Sequence, residues 1–236
     1  MQRYDEAFLL EILNKAALFS GLETAVLRAA LQHAHTHHFP RQSYFFHQGE
    51  AAETFYILLE GRARLTQLTP EGHQVTIRYV GPGDAIGIIV ALSNTTYPIS
   101  TEAITDCTTL AWHANTITKL MEQYPRLAIN ALKLVAGRFI QLQKQYQELA
   151  TERVEQRVAR ALLRLIRQTG KRTESGIIID MPLSRQDLAE MTGTTLYTVS
   201  RILSQWEQQG IIEAGRQQVI IHHPHSLVKI ADDLPR

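Results

Sequence analysis

The 236-residue sequence predicts an α+β fold in three parts: a β-rich N-terminal domain, a long helix and a C-terminal winged helix-turn-helix. Three observations lead there. Turn-punctuated short apolar runs fill the first half, a heptad-spaced stripe follows Pro125, and two short helical patterns separated by a glycine precede a hairpin pattern near the C-terminus. We place the boundaries at residues 1–120, 121–150 and 151–236.

From Tyr4 to about Gln32 the apolar residues recur at helical spacing, with a turn at Ser20-Gly21. From about Phe39 to Trp112 the pattern breaks into runs such as Thr54–Leu59, Ala63–Leu68, Val75–Val80 and Thr108–Trp112. Turn signals separate them: Gln48-Gly49-Glu50, Glu60-Gly61, Pro70-Glu71-Gly72 and Gly81-Pro82-Gly83-Asp84. Many short strands at this spacing predict a sandwich, roll or barrel.

Pro125 suits the first turn of a helix, where its missing N–H costs nothing. In the stretch that follows, Leu132, Phe139 and Tyr146 take one seam position. Ala128, Val135, Leu142 and Leu149 take the other. Three repeats flanked by Lys133, Gln141, Lys144 and Gln145 make a narrow stripe, which predicts a homodimer seam roughly 37 Å long rather than a helix packed on its own domain. A second helix, about 152–168, carries Val154, Val158, Leu162, Leu165 and Ile166 inward. Arg153, Arg157, Arg160, Arg164 and Arg167 lie on its other face, either as a solvated surface or against phosphates.

The stretch from Leu183 to Trp206 carries the clearest chemistry. Ser184 with Asp187 forms a capping box, Gly193 supplies a tight turn, and Thr194 or Thr195 caps the next helix. Val199, Ile202, Leu203 and Trp206 form the buried face of that helix. Leu196, Tyr197, Ser200 and Arg201 are left facing outward near its N-terminal end, where a recognition helix meets base edges. Arg201 can donate two hydrogen bonds to guanine, while Thr195 and Ser200 suit phosphates. Gly210–Ile221 reads as a hairpin whose turn holds Gly215 and Arg216, a wing. The candidate DNA-binding residues are therefore Ser184, Thr195, Leu196, Tyr197, Ser200, Arg201 and Arg216.

Composition narrows the function classes. A formal net charge of +1 means any nucleic-acid contact must come from local placement of Arg and Lys. No apolar run approaches the roughly 20 residues of a membrane-spanning helix, and the charged N-terminus lacks a secretion signal, so we expect a cytoplasmic protein. Cys107 is the only cysteine, which excludes an intrachain disulfide and the usual four-thiolate iron–sulfur site. No nucleophile–base pair, phosphate loop or helical metal-ligand spacing points to an enzyme, so no catalytic or metal residues are assigned. The competing class is an adaptor acting through a protein partner, with a purely structural helix-turn-helix.

These residues resemble the family of the cyclic-AMP receptor protein and the fumarate-nitrate reduction regulator. His47-Gln-Gly-Glu50, the Glu60-Gly61 turn, and Gly81-Pro-Gly-Asp84 followed by Ile86-Gly87 resemble its β-roll. Thr198-Val199-Ser200-Arg201 resembles the core of its recognition helix. The resemblance implies a double-stranded β-helix sensor roll of the cyclic-nucleotide-binding type, allosterically coupled to a dimeric regulator. That dimer would bind a near-palindromic duplex site, with RNA polymerase as a further partner. The departures exclude cyclic AMP. Ile88 stands where cyclic-AMP binders have a ribose-holding glutamate, Tyr97-Pro98 aligns with the phosphate-binding Arg-Ser pair, and Leu142-Gln143 aligns with the adenine-contacting Thr-Ser pair. Tyr197 also replaces a glutamate that accepts from cytosine.

The expected effector pocket is apolar: Ile86, Gly87, Ile88, Ile89, Leu92 and Tyr97 facing Leu132, Lys133, Val135 and Phe139. Four readings stay open. They are haem held by a histidine of the His33, His35, His37, His38 stretch, an organic acid such as 2-oxoglutarate met by Lys133 and Arg138, a filled core with no ligand, and zinc on the same histidines.

Overall fold

A computed structural model describes residues 4–234 except 71, 73, 92–94 and 216. Leu92 and Arg216, named above for the pocket and the wing, lie outside the described residues. The chain forms two compact units, Met1–Gln141 and Leu142–Arg236.

The first unit opens with α1 (Glu6–Lys15) and α2 (Thr24–Gln32), joined through a 3-10 turn that buries Leu18 and Phe19. Among the described residues eight strands follow: β1 (His35–Phe39), β2 (Tyr44–Phe46), β3 (Thr54–Glu60), β4 (Ala63–Leu68), β5 (Gln74–Val80), β6 (Ala85–Ile86), β7 (Ser100–Ala103) and β8 (Cys107–His113). They pair antiparallel into two four-stranded sheets, β1-β8-β3-β6 and β2-β7-β4-β5. The sequence runs Thr54–Leu59 and Thr108–Trp112 are β3 and β8, which pair over most of their length. Of the histidine-dense stretch, His35, His37 and His38 lie in β1, ahead of the point near Phe39 where the sequence pattern begins its strands, and His33 ends α2.

β3 shows why the apolar run there does not alternate. Residues 55–59 are all buried, because the strand meets packed side chains on both faces. Phe55 packs on Trp112, whose ring also meets Phe19 from the helical layer and whose indole N–H donates to the Ala30 carbonyl at 2.8 Å. Tyr56 instead joins an aromatic cluster with Phe39, Phe45 and Phe46.

After β8, α3 (Ala114–Gln123) leads into α4 (Pro125–Thr151), a 27-residue helix that Pro125 begins. Within the first unit, α4 turns the row Leu127, Ala131, Leu134 and Arg138 toward the core, where Arg138 reaches the Ala85 carbonyl of β6. Leu127 and Ala131 are fully buried, and Leu134 packs against the core beside Ala128 and Val135. That row follows helical spacing, so the other side of α4 is left to solvent.

The second unit takes the last turns of α4 and continues with α5 (Val154–Thr169), the hairpin β9 (Gly170–Thr173) and β10 (Gly176–Ile179), α6 (Arg185–Thr192), α7 (Leu196–Gln208), β11 (Ile212–Ala214), β12 (Val219–Ile221) and α8 (Pro224–Ala231). Its sheet order is β11-β12-β10-β9. The β11–β12 hairpin is the expected wing; β10 and β9 extend its sheet, and α8 packs on α5. Val158, Leu162, Leu165, Leu188, Val199, Leu203 and Trp206 are buried in this unit, and the Trp206 indole donates to Glu155 at 3.1 Å.

Candidate functional site

The geometry of the two short helices follows from local chemistry. The Ser184 amide donates to the Asp187 carboxylate at 2.8 Å, and the Asp187 amide donates back to the Ser184 hydroxyl at 3.1 Å. This satisfies the start of α6. Gly193 ends α6 in the left-handed region, at φ 59°, which a residue with a side chain adopts only at a cost. Thr195 then caps α7, its hydroxyl accepting from the Thr198 amide at 3.2 Å.

The buried row Val199, Ile202, Leu203 and Trp206 fixes the rotation of α7. Leu196 is 48% exposed and Tyr197 77% exposed, with Ser200 half-buried and Arg201 exposed on the same side. The structure thus brings Leu196, Tyr197, Ser200 and Arg201 together at the N-terminal end of one helix face. Ser184 and Thr195 sit beside them as capping residues. The Ser184 hydroxyl is already engaged with Asp187 at 2.6 Å. A groove of about 420 Å³ runs between Ser184–Gln186, Leu196 and the wing residues Ala214 and Gly215.

Four of the five arginines named above for α5 are engaged within the unit, while Arg167 is exposed. Arg164 pairs with Glu148 at 2.7 Å, both largely buried, and Arg160 pairs with Glu152 at 2.8 Å. Arg157 donates to the carbonyls of Thr192 and Glu152, and Arg153 pairs with Asp233. These four guanidiniums fasten α5 to neighbouring segments of its own unit, which the sequence could not reveal because the acids lie up to 80 positions away.

In the first unit, Ile86, Ile88 and Tyr97 are buried and Ile89 is half-buried. Tyr97 lies stacked on Phe46, with ring centroids 3.6 Å apart. Its hydroxyl donates to the Thr54 carbonyl at 2.7 Å and accepts from the Thr54 amide at 3.0 Å. A Cβ added to Gly87 would lie 2.9 Å from that same carbonyl and 3.4 Å from the Tyr97 ring, so the ring is seated directly on the Gly87 backbone. Burial pushes the Tyr97 phenol up to about 12. Phe46 and Thr54, the two partners that hold Tyr97, carry no local sequence signal for that role.

The α4 half of the expected pocket needs correction. Val135 packs against the core, but Leu132 is 67% exposed, Phe139 is 59% exposed and Lys133 is exposed. Helical periodicity explains this: the row ending at Arg138 faces the core, which turns Leu132 and Phe139 away. With Leu142, Tyr146 and Leu149, all more than half exposed, they form the exposed part of the heptad stripe on α4, whereas its other two members, Ala128 and Val135, pack against the core instead.

Arg138 replaces them at the roll. It donates to the Ala85 carbonyl at 2.8 Å, and desolvation, then the neighbouring Arg78 charge, lowers its guanidinium to about 10. The Nε atoms of Arg78 and Arg138 are buried with no hydrogen-bond partner among the described residues. The histidines of β1 are mainly on the surface: His35, His37 and His38 are exposed, and His38 meets the Thr108 hydroxyl at 3.1 Å. Among the described residues no cluster of three or more His, Cys, Asp or Glu side chains is arranged to hold a metal. Cys107 is buried and its Sγ faces the Arg62 carbonyl, with burial pushing the thiol up to about 11.

An antiparallel roll carrying a helix at its C-terminal end, and a winged helix-turn-helix whose second helix has an exposed outer face, define a sensor-type transcriptional regulator. Comparison with known proteins agrees. Residues 36–124 match the cyclic nucleotide-binding domain and residues 156–230 the Crp-like helix-turn-helix domain. The chain is 28% identical to the cyclic AMP receptor protein of Thermus thermophilus, over 91% of this chain and 96% of that protein. It is 26% identical to the global nitrogen regulator of a Nostoc species, over 80% of this chain and 86% of that one. Among solved structures, FixK2 from Bradyrhizobium japonicum superposes with a TM-score of 0.73 at 25% identity, covering 84% of this chain and 96% of that chain. The chain belongs to the family of the cyclic-AMP receptor protein and the fumarate-nitrate reduction regulator, and it is a DNA-binding transcriptional regulator of that type. No helix among the described residues is long and apolar enough to cross a membrane.

Proposed function

We propose that the chain works as a homodimer paired along α4, reading a near-palindromic duplex with the Leu196, Tyr197, Ser200 and Arg201 face of α7. The observation that carries this is the coincidence of an exposed heptad stripe with an exposed reading face. A stripe of five large apolar side chains left in water is unfavourable unless covered, and a second copy presents the identical stripe. Two reading helices then require half-sites about one helical turn, near 34 Å, apart. RNA polymerase is the further partner that fits a promoter-bound dimer.

Binding of the purified chain to duplexes selected from a random pool tests this. Affinity is expected to fall steeply with salt. Arg201→Ala is expected to weaken the selected site about 5- to 150-fold per half-site, from a bidentate guanine contact of roughly 1–3 kcal/mol. Affinity indifferent to salt and to Arg201 would instead support the adaptor reading.

Cyclic AMP is not the effector in this proposal. Tyr97 stands where the family's phosphate-binding arginine aligns, and its anchored ring supports a roll filled by its own side chain. A second reading is favoured by Arg78 and Arg138. Two neighbouring guanidiniums with buried, unpartnered Nε atoms suit a small carboxylate such as 2-oxoglutarate. A thermal shift of the full chain with 2-oxoglutarate, lost in Arg138→Gln and absent with cyclic AMP, is the expected sign. No shift at millimolar 2-oxoglutarate leaves the filled roll.

A further inference from the structure

The outward face of α7 begins with two large hydrophobic residues. Leu196 and Tyr197 occupy its first two positions and are both exposed, and Leu196 lines the groove that also holds the start of α6 and the wing turn. The Thr195 cap and the buried row through Trp206 leave these side chains no inward rotation. Arg201 lies four residues beyond Tyr197, hence one helical turn away on the same side.

In the major groove the one apolar feature on the base edges is the C5-methyl of thymine, whereas cytosine presents an N4 amino donor. A leucine or a tyrosine ring edge pressed on that donor removes its water without replacing the hydrogen bond. Resting on the proposed DNA-reading face, we propose that Tyr197, with Leu196, is a specificity-determining element that reads thymine methyl groups. The half-site then carries thymine, not cytosine, within about two base pairs of the guanine taken by Arg201, because one turn of helix spans 5.4 Å.

The test starts from sites selected with the full chain from randomised duplex. The guanine read by Arg201 is the position whose preference disappears in Arg201→Ala. Each thymine is then replaced by deoxyuridine, which deletes only the methyl group. At one or two thymines beside that guanine we expect about a fourfold loss of affinity per methyl removed, the equivalent of about 0.8 kcal/mol of apolar burial. 5-Methylcytosine there is expected to bind better than cytosine. In Tyr197→Ala the difference between thymine and deoxyuridine shrinks to less than twofold, and Leu196→Ala reduces it at the neighbouring step. Tyr197→Glu is expected to move the preference toward cytosine.

The inference is overturned if selected half-sites carry cytosine at these steps, or if no deoxyuridine substitution changes affinity by more than twofold while Arg201→Ala still abolishes the guanine preference. Selection of no half-site at all would overturn the DNA-reading face itself, a different outcome.

Discussion

Deleting a single hydroxyl, in Tyr97→Phe, probes whether the roll is closed by its own side chain. The ring keeps its stack on Phe46, so what is lost is the pair of hydrogen bonds to Thr54, one donated at 2.7 Å and one accepted at 3.0 Å. A neutral hydrogen bond contributes about 0.5–1.5 kcal/mol net, and a buried N–H left without a partner adds to the loss, so we expect about 2 kcal/mol. At this chain length that corresponds to a fall in Tm of roughly 4–8 °C. Differential scanning calorimetry of the full chain reads it directly. The pH dependence gives an independent check. Unfolded tyrosine loses its proton near 10, while folded Tyr97 keeps it to about 12. Stability from this group is therefore present below pH 10 and is lost as pH rises from 10 to 12. Tyr97→Phe should lack that component of the alkaline loss. A change in Tm below about 1 °C, with the same alkaline profile as the parent, would show a hydrated, unanchored phenol and refute the closed roll.

Three further outcomes follow from packing. In the proposed dimer, Leu142→Glu puts like charges across the α4 stripe and is expected to weaken dimerisation at least about 100-fold, read by sedimentation velocity; an unchanged dimer would move the seam elsewhere. Glu148→Ala leaves the Arg164 guanidinium, with side chains 6% and 15% exposed in the pair, without its partner. The expected cost is about 3–5 kcal/mol in urea denaturation, much of it recovered in Glu148→Leu/Arg164→Met. Gly87→Ala forces a side chain into the left-handed region at φ 76° and to 2.9 Å from a backbone oxygen. A loss of about 2–3 kcal/mol is expected, and a neutral result would mean that β3 yields easily at Thr54.

The period of the apolar residues was enough to place β3, β4, β5 and β8 within a residue or two, and to start α4 at Pro125. The reading helix was also plain in the sequence, because its determinants are local: a capping box three residues wide, a glycine at the turn, and a buried row at helical spacing. Strand β1 was hidden, since three exposed histidines in five residues mask the alternation that reveals a strand.

The sequence by itself therefore determined the heptad spacing on α4 and the outward face of α7, each set by spacings of three, four or seven along one helix. Only the tertiary structure decided what anchors Tyr97 and which charges are paired internally. Tyr97 finds Thr54 across 43 positions and Arg164 finds Glu148 across 16. The rotation of α4 about its axis was likewise a matter of which row the roll could bury. Periodicity sets the angle between Leu132 and Arg138, but packing alone says which of them faces inward.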